Sequence, residues 1–259
     1  MTAAKAEGAR VAIAHAPAEL DEGLGAKGRI GLIALSSDQV IEQDWRRLLP
    51  DDDLALYVSR IANADTVTVE SLSAMEAGLE GAARLILPEG RIDVFAYGCT
   101  SGSVLIGEER VFESLRKARP GIPCTTPITG ALAAFERLAV SRIAVLTPYI
   151  EDVNRPIAAC LQRRGCEIAA FGSFELDRDG EIARVTPRSI LEAARALDAP
   201  GTEAIFISCT ALRALDAIAP LEAETGKPVI TSNQAMAWHA LRLVGYERPI
   251  EGFGRLLAM

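Results

Sequence analysis

The chain has 259 residues, 49% of them hydrophobic and 24% charged, and its formal net charge is −8. That is ordinary globular composition, with length for one large domain or two smaller ones. The acidic balance without a Lys/Arg-rich run argues against a nucleic-acid or anionic-membrane surface, and no apolar run approaches the roughly 18 residues needed to span a bilayer.

Residues 1–27 hold a short apolar patch broken by His15 and followed by acids. They lack a signal-peptide core and cleavage site and read as a loosely attached extension. From there, short runs rich in β-branched residues alternate with helical patterns. "RIGLIAL" (29–35) reads as a buried parallel strand and "LALYVSRI" (54–61) as another. "VESLSAMEAGLEGAARLIL" follows, with Leu72, Met75, Leu79, Ala82 and Leu85 at the spacing of one long helix. "IDVFAYG" (92–98) is a strand that runs into "CTSGS". A Pro-led strand, "GIPCTTP" (121–127), then leads into the helix "ITGALAAFERLAV". "RIAVLTP" (142–148) starts a second series. Its helix "DVNRPIAACLQRRG" stops at Gly165, and the strand "EIAAFGSF" (167–174) comes next. Thr186 and Pro187 open another helix, "AIFISCT" (204–210) is a strand, and "KPVITSN" (227–233) leads into "NQAMAWHALRLVGY". Strand–helix alternation predicts an α/β fold with parallel sheets and crossover helices.

The second series repeats the first. The spacing from Ile30 to Cys99 nearly equals that from Ile143 to Cys209, and each cysteine is followed by threonine and later by a Pro-led strand. A duplicated Rossmann-like unit is expected. One lobe would span 28–127 plus 233–259 and the other 128–232, related by a pseudo-two-fold axis with a cleft between them.

In open α/β sheets ligands bind beyond the carboxyl ends of the strands, and Cys99 and Cys209 each stand at such an end. One strand-end cysteine is usually a packing residue. Two at corresponding positions of a repeat suggest thiols flanking one ligand. A thiol has a free pKa near 8.5, and its thiolate is both nucleophile and base. A helix is expected after each cysteine, its first amides pointing into the cleft toward a carboxylate. Thr100, Ser101 and Thr210 add hydroxyls. Cys124, Cys160 and Cys166 read as packing residues. An odd cysteine count without a secretion signal predicts reduced thiols in the cytoplasm. With His15 and His239 as the only histidines, no C-x-x-C, no G-x-S-x-G and no phosphate-binding glycine motif, the sequence offers no zinc, serine-hydrolase or nucleotide site.

Over residues 28–259 these segments together resemble the Asp/Glu racemase superfamily. The similarity is to the branch of maleate isomerases, arylmalonate decarboxylases and EutA-type ectoine-utilisation proteins. "GRIGLIALSSDQVIEQDW", "GCTSGS", "LTPYIEDVN" and "ISCTALRAL" carry the resemblance. It implies Cys99 as nucleophile or base and Cys209 as proton donor. Tyr149, Thr100, Ser101 and Thr210 would hold a substrate carboxylate. No metal or organic cofactor is implied, and the subunits would form homodimers or larger homo-oligomers.

Two departures bear on the reaction. Decarboxylases of this branch keep only the second cysteine, so a chain with both is expected to isomerise or racemise. Asp38 stands where the isomerases have asparagine, and Asp179 matches a second such position. Beside a dianion, one like-charge contact at about 4 Å would cost roughly 4 kcal/mol at an effective dielectric near 20. A substrate bringing an ammonium group, such as an amino-acid-derived carboxylate, would avoid that cost. Asp38 also suits a helix cap before "QVIEQDW".

Overall fold

The computed structural model describes residues 15–50 and 53–259. Residues 1–14 of the expected extension lie outside the described residues, and 15–22 are exposed without regular secondary structure. The first half contains β1 (Gly28–Leu35), α1 (Ile41–Leu48), β2 (Leu54–Ile61), α2 (Val69–Ala74), α3 (Glu76–Leu85), β3 (Val94–Tyr97), α4 (Thr100–Ile106), α5 (Glu108–Ala118), β4 (Cys124–Thr125) and α6 (Pro127–Leu138). The second contains β5 (Arg142–Tyr149), α7 (Glu151–Arg163), β6 (Glu167–Leu176), α8 (Asp179–Ile182), α9 (Pro187–Ala196), β7 (Ala204–Ile207), α10 (Leu215–Thr225), β8 (Val229–Thr231), α11 (Ser232–Leu243) and α12 (Gly254–Leu257). Among the described residues no helix is long and apolar enough to cross a membrane.

These residues form two four-stranded parallel sheets, ordered β2-β1-β3-β4 and β6-β5-β7-β8. The order is the same in both, as the internal repeat predicts. The central strands are continuous apolar runs because both faces are covered: β3 and β7 are buried at every residue, while the outer strands β2 and β6 are mostly half-buried. Ile33 pairs with Tyr97, and Leu146 with Ile207. Cys99 and Cys209 therefore each follow a central strand by two residues, at the carboxyl edge of its sheet.

The single helix expected over 69–87 is two, α2 and α3, meeting at Met75. Thr68 and Ser71 form a capping box at the start of α2. The Ser73 hydroxyl donates to the Val69 carbonyl one turn back, a contact that loosens and bends helices.

One long helix of each half, α6 in the first and α11 in the second, reaches the other sheet. On α6, which Thr126 caps and Pro127 opens, the Phe135 ring packs edge-on to Phe206 of β7 in the second sheet, 5.6 Å between centroids. Helix α11 packs against β3 and β4 of the first sheet, where His239 Nδ1 and the Thr125 hydroxyl are 2.8 Å apart. The two helices cross at Gly130, where a Cβ would sit 2.6 Å from the Ala235 carbonyl oxygen, so only glycine allows the approach.

Candidate active site

The first cysteine turn is built into a helix start. Cys99 is the N-cap of α4, its Sγ accepting the Gly102 amide at 3.2 Å. The Ser101 hydroxyl lies 3.8 Å from the sulfur, and the Ser103 hydroxyl donates to the Cys99 carbonyl. Gly102 has no room for a side chain: a Cβ would meet the Tyr97 hydroxyl at 2.7 Å and the Cys99 sulfur at 2.9 Å.

The second turn differs from expectation. No helix follows Cys209 directly, since α10 begins only at Leu215. The Thr210 carbonyl, which a helix would offer to the amide four residues on, accepts instead from Asn233 Nδ2 at 2.8 Å. Residues 210–212 form a turn in which Cys209 Sγ accepts the Ala211 amide at 3.3 Å.

Both thiols line one small cavity of about 20 Å³, with Asp38, Ser101, Tyr149, Asp179 and Thr210. That is the scale of a single water. Leu35, Val67, Leu72, Met75 and Ala211 supply apolar wall. Its rim is a clasp between the two halves. Thr66 bridges to Arg178, and the Val67 amide donates to the Asp177 carbonyl at 2.7 Å.

Among the described residues that line this cavity there are two aspartates and no lysine, arginine or histidine. Asp38 is 3% exposed. Its Oδ1 accepts the amides of Val40 and Ile41 at 2.8 and 2.9 Å, capping the entry to α1, while its Oδ2 has no hydrogen-bond partner. Cap and cavity wall are one residue. Arg60, on β2, reaches the same loop, but its Nη1 donates to the carbonyls of Leu35, Ser36 and Asp38. Asp179 Oδ2 accepts from the Ser37 hydroxyl at 2.5 Å and from Asn63 Nδ2 at 3.0 Å, tying the second half to the first. Burial raises both carboxyls above the usual range, against the hydrogen bonds each accepts.

The same burial raises the thiols. Cys99 is pushed up to about 12, opposed by the Gly102 amide and reinforced by the Asp179 charge. Cys209 is pushed higher by burial and by the charges of Asp179 and Asp38, opposed by hydrogen bonds from Tyr149 and Ala211. Burial keeps both sulfurs in the thiol form.

Seven of the eight residues expected from sequence share the cavity. Thr100 does not line it: its hydroxyl is 2.9 Å from that of Ser232 at the start of α11. Ser37, Asn63 and Asn233 carry site contacts that sequence reading missed. Asn233 had a signal, since "TSN" ends the repeat of the Pro-led strand. Asn63, in "IANAD", had none.

A family model described as arylmalonate decarboxylase matches residues 49–257. The arylmalonate decarboxylase of Bordetella bronchiseptica is 32% identical over 235 residues, covering 88% of this chain and 95% of its own. A maleate isomerase of Pseudomonas putida is 25% identical over 244 residues, covering 89% and 97%. Among solved structures, a Nocardia farcinica maleate cis-trans isomerase mutant with a covalently bound succinylcysteine intermediate superposes with a TM-score of 0.82. It is 25% identical and covers 89% of this chain and 98% of that one.

Proposed function

The chain belongs to the arylmalonate decarboxylase family, and on that premise we propose that it is a cofactor-independent isomerase or racemase acting on a small carboxylate between two thiols. One observation carries the reading: Cys99 and Cys209 line the same cavity. In racemisation Cys99, as thiolate, takes the proton from the carbon beside the carboxylate. The electron pair left there delocalises into the carboxylate, and Cys209 delivers its own proton to the opposite face. In double-bond isomerisation Cys99 adds to one alkene carbon while Cys209 protonates the other. Rotation about the resulting single bond and reversal of both steps give the other isomer. Tyr149, Ser101 and Thr210 supply hydroxyl donors to the carboxylate. Both roles need reduced thiols, which suits a cytoplasmic setting.

The finer reading is a substrate that carries an ammonium group, as an amino-acid-derived compound of ectoine breakdown would. Two buried aspartates and no cation line the cavity; the Asp179 charge is among the causes that keep both thiols protonated, and the Asp38 charge among those for Cys209. An ammonium beside Asp38 and Asp179 would pair with those charges and lower both thiols toward the working range. The decarboxylase reading, with Cys209 alone protonating the carbanion left by carbon dioxide, is favoured by the 32% identity to an enzyme of that name. A binding protein without turnover is the non-enzymatic alternative.

Proton NMR in deuterated water separates them, using amino acids, acetylated diaminobutyrates, maleate and aryl malonates. Solvent deuterium entering the substrate carbon without net conversion indicates racemisation. Maleate giving fumarate indicates isomerisation, and loss of carbon dioxide that survives Cys99→Ala indicates the decarboxylase. Binding of a panel compound with no exchange or conversion defeats the enzymatic reading.

A further inference from the structure

Asn233, on the first turn of α11, has one side-chain nitrogen with two protons and spends both. Nδ2 donates to Asp44 Oδ2 and to the Thr210 carbonyl, each at 2.8 Å. All three residues are buried. The amide oxygen Oδ1 has no partner. Turning the amide over would set that oxygen against two acceptors and forfeit both bonds, so the carboxylate on α1 dictates which way the amide faces. The neighbouring Ser232 hydroxyl is 2.9 Å from that of Thr100, beside Cys99, and the Thr210 hydroxyl donates to the Gly98 carbonyl at 3.3 Å. The first two residues of α11 thus grip both cysteine turns. Asp44 does not line the cavity.

We infer that Asp44 is a positioning residue for the second thiol: its carboxylate orients the Asn233 amide, which holds the Thr210 carbonyl and with it the turn that presents Cys209. The consequence for turnover rests on the two-thiol reading above; the consequence for the turn does not.

The charged groups facing Asp44 are Arg47 on its own helix, Asp38 in the loop before it and Asp216 on α10. Arg47 is ion-paired to Asp216 at 2.6 Å. Burial pushes the Asp44 carboxyl up to about 7, against the Asn233 bond and the Arg47 charge. Once protonated, Asp44 loses its charge and accepts from Asn233 more weakly, so the amide, and the Thr210 carbonyl it holds, are held less firmly. The second turn is therefore held above about pH 7 and loosened below it.

Amide NMR on the full chain between mildly acidic and mildly basic pH tests this without any substrate. The Asn233 side-chain amide and the Ala211 backbone amide, which donates to the Cys209 sulfur, should shift together with one midpoint near pH 7. Hydrogen-exchange protection of Ala211, corrected for intrinsic exchange, should fall about tenfold on the acid side, an opening cost of about 1.4 kcal/mol. Asp44→Asn keeps an acceptor for Asn233 but does not titrate. In that variant both shifts should be flat and the protection should stay at its acid-side level across the range. An Ala211 signal indifferent to pH in the native protein, or one that still titrates near 7 in Asp44→Asn, overturns the inference. In turnover of whichever panel compound reacts, Asp44→Asn should remove an acid limb in kcat and leave KM within about twofold. If no panel compound reacts, the two-thiol reading fails while these amide signals still decide the inference.

Discussion

The two cysteine turns stand at corresponding positions of two sheets with one strand order and are held by different means. The first is local: Cys99 caps α4, and its contacts with Gly102, Ser101 and Ser103 all fall within four residues. The second is supported from afar: Thr210 is held by Asn233, and Asn233 by Asp44 at the other end of the chain. The first turn places its sulfur at the start of α4, with Ser232 on Thr100 as one distant brace. The second places its sulfur only when three elements distant in sequence agree. Each sulfur accepts one backbone amide, but Cys99 feels the charge of Asp179 alone and Cys209 those of Asp179 and Asp38. On the two-thiol proposal, these unlike surroundings would divide the labour between two like groups.

The largest effect should come from the sulfurs. Cys99→Ala and Cys209→Ala are each expected to lower solvent-deuterium incorporation by about 10³-fold or more. If the second loses that much and the first almost nothing, the division of labour is wrong and one thiol suffices. Gly102→Ala comes next. The added methyl would meet Cys99 Sγ at 2.9 Å and Met75 Cε at 2.9 Å. Overpacking of this kind costs about 1–3 kcal/mol, visible as a lower denaturation midpoint. Turnover should fall further than stability does, because the sulfur itself is displaced. Unchanged kinetics would mean that the first turn is not tightly set.

Asp38→Asn is expected to shift charge rather than shape. Its Oδ1 can still cap α1, but the charge that raises Cys209 is gone. Ultraviolet absorbance of the thiolate, followed against pH in a Cys99→Ser background, should show Cys209 ionising at lower pH than in the same background with Asp38. No shift would remove the electrostatic link between them. Stability against pH gives a smaller effect. Asp38, Asp44 and Asp179 all have raised carboxyls in the folded chain. The folded state therefore binds protons more tightly than the unfolded one. Their contribution is fully present below the unfolded value near 4 and is lost as pH rises through the folded values, for Asp44 about 7. Melting temperature should decline over that window, and less steeply in Asp44→Asn. Smallest is Thr100→Val, which removes one buried hydroxyl contact with Ser232 at a cost of about 1 kcal/mol. KM should not move, since that hydroxyl does not line the cavity. A raised KM would return Thr100 to the binding role its sequence position suggested.

The sheets were legible because parallel strands buried on both faces announce themselves as apolar runs. "LALYVSRI" is β2 residue for residue, and the repeat foretold that both sheets would share one strand order. The cysteine pair was legible for the same reason, since strand ends on a repeated frame must correspond. The break at Met75 was not, because apolar spacing continues through it and only a serine back-bond marks it. The helix expected straight after Cys209 was not either. "TALRAL" is a sound helix opening on its own terms, and what prevents it is an amide from residue 233, invisible to any local window. The same holds for Asn63 and Ser37, which reach Asp179 across the two halves.

The crossing of α6 and α11 at Gly130 has a consequence for how such a chain is assembled. Each half lends one long helix to the other's sheet, with Phe135 packed on Phe206 and His239 beside Thr125. The arrangement is that of two like units exchanging an element within one polypeptide. Ser232 and Asn233 stand at the root of one swapped arm, so the grip on both sulfurs exists only once the exchange is complete.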